Sequence, residues 1–71
     1  MKRIDMLRRI RKRARELGRV VTESEGGRHS KLTVGNTKLV VGRHRELKPG
    51  EARAILRILE DELGSEWWKS E

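Results

Sequence analysis

Seventy-one residues make one small domain, a size that buries only about 60% of the surface its unfolded chain exposes and leaves no room for a deep cofactor cleft. The absence of cysteine excludes disulfides, thiolate nucleophiles and cysteine-ligated zinc or iron–sulfur sites, and two histidines without a carboxylate at a ligand spacing argue against a metal site. The net charge of +7 is carried by residues 1–20, where nine basic side chains face only Asp5 and Glu16, while residues 21–71 hold nine of each sign and are neutral.

Such asymmetry favours a polyanionic partner, either nucleic acid or an acidic protein. No apolar run approaches the ~20 residues of a membrane span and no signal-peptide segment follows the start, so a cytoplasmic protein without a membrane partner is expected.

In chain order, Ile4, Leu7, Ile10, Ala14 and Leu17 recur every three or four residues and predict one apolar stripe along a helix that stops at Gly18. Its basic residues, Arg9, Lys12 and Arg13 among them, fall on the other faces, open to solvent or phosphate. Arg19 to Ser24 reads as a strand around Val20 and Val21, and Glu25-Gly26-Gly27 as a break. His29–Val34 and Thr37–Val41 are β-type runs separated by Gly35-Asn36, a two-residue hairpin signal.

Pairing outward from that turn sets Val34 opposite Thr37, Leu32 opposite Leu39, Ser30 opposite Val41 and His29 opposite Gly42. Leu32, Val34, Leu39 and Val41 then share one face, and His29, Lys31, Thr33 and Lys38 the other. His29 is therefore expected on the open face, beside the strand end that leads into Arg43-His44-Arg45. A slip of one residue would bury it.

Pro49 suits the first turn of a second helix and Glu51 its positive end. Ala52, Ile55, Leu56, Leu59 and Leu63 form its apolar stripe, with Gly64 as the stop. Ser65 to Glu71 is a polar tail in which Trp67 and Trp68 either cover the core or an apolar groove, or anchor a partner. The fold class is α+β: a small α-β-β-β-α domain, its three-stranded antiparallel sheet carrying both helices on one face.

Histidine is the side chain able to give and take a proton near neutral pH, and here His29 follows a glycine pair between Arg28 and Lys31. Cleavage of RNA without a metal needs a proton removed from the 2′-hydroxyl, a proton delivered to the 5′-oxygen, and charge stabilisation at phosphorus. His29 could be base or acid, with Arg28, Lys31, Arg43 or Arg45 holding the phosphate. His44 could be a second acid–base group, a phosphate contact or a structural hydrogen-bonding group at the start of the next helix. Strand-face reading of single-stranded RNA by aromatic stacking is disfavoured, because the chain has no Phe or Tyr. Two helices far apart in sequence also disfavour a helix-turn-helix.

Gly26-Gly27-Arg28-His29, Val40-Val41-Gly42-Arg43-His44, and Leu47-Lys48-Pro49-Gly50 followed by Arg53-Ala54-Ile55-Leu56 stand in the order and spacing of a known family. Over residues 5–63 the chain resembles the HicA-type toxins, mRNA interferases of type II toxin–antitoxin systems. It departs from that pattern in having Gly27 for serine, Gly42 for proline, a longer and more basic first helix, and the tryptophan tail. The resemblance implies a double-stranded-RNA-binding-like domain over residues 1–64, with residues 65–71 as the tail. It further implies an endoribonuclease that uses neither metal nor cofactor, with His29 as the catalytic acid–base residue. Arg28, Lys31, Lys38, Arg43, His44, Arg45, Arg9, Lys12 and Arg13 are the expected RNA-binding set. The expected partners are mRNA and a HicB-type antitoxin, and the free toxin is expected to be a monomer. A non-catalytic RNA-binding module of the same fold is the alternative.

Overall fold

The computed structural model describes residues 1–70. Helix α1 (Arg3–Glu16) is followed by strands β1 (Val21–Gly26), β2 (His29–Val34) and β3 (Thr37–Gly42), helix α2 (Pro49–Ile58), a further turn of helix α3 (Glu60–Leu63), and a 3₁₀ turn (Trp67–Ser70). The sheet is an antiparallel meander in the order β1-β2-β3.

Both hairpins turn on two residues, Gly27-Arg28 and Gly35-Asn36. Each has glycine at the first central position with positive φ, 50° and 57°. That is the II′ pattern, whose twist matches the flanking strands. All six pairs of β2 with β3 follow the register expected from the Gly35-Asn36 turn, from Val34 opposite Thr37 to His29 opposite Gly42. The first strand lies later than the sequence suggests: it begins at Val21 rather than Arg19 and runs through Gly26. The break narrows to Gly27-Arg28 because Glu25 and Gly26 are drawn into the ladder opposite Ser30 and His29.

Ser30, Leu32, Val34, Leu39 and Val41 are buried on one face of the sheet. Against them pack Met6, Ile10 and Ala14 of α1, Ala52 and Ile55 of α2, and Leu47, Leu59, Leu63 and Trp67, so both long helices cover the same face. The buried line on α1 differs from the expected stripe: Ile4 is 62% exposed and Leu17 40%. At about 100° per residue, Met6, Ile10 and Ala14 step along one side, whereas Ile4 stands roughly 120° away from Ile10. Leu17 is already the C-cap. Gly18 and Arg19 close the helix as a Schellman motif, their N–H groups donating to Arg15 O at 3.2 Å and Ala14 O at 2.8 Å.

Pro49 opens α2 in its first turn. The helical ladder is interrupted at Leu59, and near this point the Trp67 Nε1–H donates to Leu56 O at 3.0 Å. A side chain bonding into the ladder is a known cause of such breaks. The 3₁₀ turn thus carries Trp67 back into the core, 2% exposed, with Trp68 half-buried and its ring edge-on at 6.1 Å.

The chain start is tied to the β3–α2 connection. Leu47 N donates to Met1 O at 2.7 Å and Arg3 N to Arg45 O at 3.0 Å, extending the antiparallel pairing of Lys2 with Glu46. The Met1 ammonium lies 2.7 Å from Glu46 and, through hydrogen bonding and charge, holds that carboxyl below its usual range.

Candidate functional site

The face of the sheet away from the helices is built by strand alternation alone. Thr22 and Ser24 of β1, His29, Lys31 and Thr33 of β2, and Lys38 and Val40 of β3 point to it. The sheet's only carboxylates, Glu23 and Glu25, are paired with Leu32 and Ser30 and so belong to the helix side. There they meet arginines: Glu23 bonds Arg11 at 2.8 Å and Arg3 at 3.2 Å, and Glu25 lies 3.4 Å from Arg43. The strands put cations and no acidic side chain on the open face, and only at its Gly42 end does a carboxylate, Glu51 of α2, come close.

The site residues divide sharply by what already holds them. Arg28, His29, Lys31, Lys38, His44 and Arg45 are exposed, and among the described residues their side chains make no hydrogen bond or ion pair. Arg43 is partly occupied: its Nη1 donates to Gly27 O at 2.8 Å, clamping the β1–β2 turn to the end of β3. Arg13 is half-buried, donating Nε–H to Leu63 O at 3.0 Å and pairing with Glu16 at 3.5 Å. Arg9 and Lys12 are exposed on α1 but each has a partner within the chain. Uncommitted charge therefore concentrates on the sheet and its turn end more than on the helix that carries the sequence's excess.

Gly27, Arg28, Arg43 and His44 line a hollow of 530 Å³ at that end. Gly42 stands beside it and is the cross-strand partner of His29. A Cβ added at Gly42 would meet Glu51 Oε2 at 2.9 Å and His44 Cδ2 at 3.9 Å. His29 and His44 are thus both neighbours of one glycine, the first through the register and the second through the loop.

One residue of this region carries no signal in the sequence beyond its charge. Arg3, 21% exposed, donates Nε–H to Gly42 O at 2.9 Å and Nη2–H to Ser30 Oγ at 2.8 Å. Ser30 is the only buried polar side chain among the described residues, and Arg3 is its partner. The contact fixes the ends of β2 and β3 that bear His29 and Gly42. Arg3 lies about 20° from Ile10 around the helix, so a periodic count that included cations would have put it on the core side.

Among the described residues no group of three or more histidine, aspartate or glutamate side chains is placed to hold a metal ion, and no helix is long and apolar enough to cross a membrane. The fold and site define a class: a small α+β domain with a cationic sheet face, whose strands place no carboxylate on it, and an imidazole at its end. No family model, curated protein or solved structure matches the chain.

Proposed function

We propose that the protein is an RNA-cleaving toxin of a toxin–antitoxin pair, a metal-independent endoribonuclease acting on mRNA with His29 as acid–base residue. The observation that carries this reading is the exposed His29 on a sheet face whose strands contribute Lys31 and Lys38 and no carboxylate. A polyanion is attracted to such a face over a Debye length of about 8 Å at physiological salt. An imidazole there meets a phosphodiester whose charge the neighbouring cations offset. The resemblance to HicA-type toxins in the three quoted segments adds a partner, a HicB-type antitoxin, and a cytoplasmic setting.

Chemistry by imidazole alone contributes about 10²–10⁴ in rate through proton transfer. Cationic donors at the developing phosphorane charge add a few kcal/mol. The purified protein is therefore expected to cut single-stranded RNA in the presence of EDTA, and its expression to arrest growth. His29→Ala is expected to abolish both while leaving the circular dichroism melt in place, because the side chain is exposed. An unchanged cleavage rate in His29→Ala would sink the assignment. Retention of RNA without cleavage by the wild-type protein would favour the second reading, an RNA-binding module using the same cationic face.

A further inference from the structure

We infer that His44 delivers the second proton of the reaction, acting as general acid on the leaving 5′-oxygen while His29 takes the proton of the 2′-hydroxyl. This rests on the nuclease reading above and assigns the group that reading leaves open.

The argument is geometric. Residues paired across an antiparallel ladder point to the same side, with Cβ atoms about 4.5–5.5 Å apart. The position of a Cβ at Gly42 is therefore a marker for the His29 side chain, its partner in the register. His44 Cδ2 lies 3.9 Å from that same marker, which bounds its distance from His29 Cβ at roughly 9 Å. Two imidazoles within that bound can reach one phosphodiester. The hollow beside Gly42 supplies the anion's contacts, since Arg28 and Arg43 line it together with His44.

Gly42 is buried and leaves no room for a side chain. Any side chain there would press on Glu51 Oε2, 2.9 Å from the Cβ position, and reach the His44 ring. The Glu51 carboxylate therefore stands at the His29 partner position as well as near His44. A carboxylate near an imidazole balances its charge when protonated, the form that donates.

The step balances without a co-reactant. His29 accepts the 2′-hydroxyl proton as the 2′-oxygen bonds to phosphorus, the bond from phosphorus to the 5′-oxygen breaks, and the His44 proton passes to that oxygen. The products are a 2′,3′-cyclic phosphate and a 5′-hydroxyl, and exchange with water restores both rings.

The test compares two short RNAs, one all-oxygen and one with a single 5′-bridging phosphorothiolate, whose sulfur leaves without being protonated. His44→Gln is expected to slow the all-oxygen substrate by about 10²–10⁴-fold yet cleave the phosphorothiolate linkage within about tenfold of wild type. His29→Ala is expected to lose both. If His44→Gln is slowed equally on the two substrates, or on neither, His44 is not the acid and the inference is overturned while the nuclease reading stands. If the wild-type protein cleaves neither RNA, both fall. His44 is exposed, so its replacement does not disturb the core.

Discussion

Replacing Arg3 with alanine is the sharpest test of how the site is held in place. The change removes two donors at 2.8–2.9 Å, to Ser30 Oγ and Gly42 O, and the 3.2 Å contact with Glu23. Hydrogen bonds to a charged group contribute about 1.5–3 kcal/mol, and a buried hydroxyl left without a partner costs about 1–3 kcal/mol. With Ser30 only 1% exposed, the orphan cannot turn to water without opening the sheet. A net loss of about 2–4 kcal/mol follows, a large share of the ~5–15 kcal/mol that holds a domain together. Thermal unfolding should show it as a fall of roughly 10–25 °C in Tm. Ser30→Ala removes the orphan, so the double variant Arg3→Ala/Ser30→Ala should lose less than the two single losses combined, with a coupling of about 1–2 kcal/mol. Urea melts of the four proteins measure the cycle. A loss below about 1 kcal/mol in Arg3→Ala, or strict additivity in the cycle, would refute the reasoning.

Trp67→Ala empties a core position and should cost about 3–5 kcal/mol, read by circular dichroism. Trp67→Phe keeps most of the packing but drops the donor to Leu56 O, and should cost about 1 kcal/mol from that bond. Lys31→Gln and Lys38→Gln should each weaken RNA binding and reduce the slope of log K against log salt by about 0.7–1. Arg13→Gln, whose guanidinium already serves Leu63 O and Glu16, should leave that slope unchanged although it belongs to the more basic element.

The sheet was readable from the sequence where two local signals agreed. The Gly35-Asn36 turn and the alternation of Leu32, Val34, Leu39 and Val41 admit one register, and that register places His29 without any tertiary information. The first strand lacks such agreement: its residues Glu23 to Gly26 carry little β preference and are ordered by pairing with β2. On α1 two apolar series compete. Ile4 and Leu17 fit a three-to-four spacing as well as Met6 does, and only the sheet beneath selects Met6, Ile10 and Ala14. The commitments of Arg3, Arg13 and Arg43 were not legible either, because each bonds a carbonyl 16 to 50 residues away whose position exists only after folding.

The same 3₁₀ turn that returns Trp67 to the core has a spectroscopic consequence. Phe and Tyr are absent and the two tryptophans are adjacent, so every aromatic chromophore sits at one corner of the protein. Intrinsic fluorescence reports only whether residues 67 and 68 remain docked by the Leu56 carbonyl, and far-ultraviolet ellipticity reports the helices and sheet. Coincident curves would show that the last turn unfolds with the whole domain. A fluorescence change that leads the ellipticity would reveal the C-terminal latch opening as a separate step, with the sheet and His29 still in place.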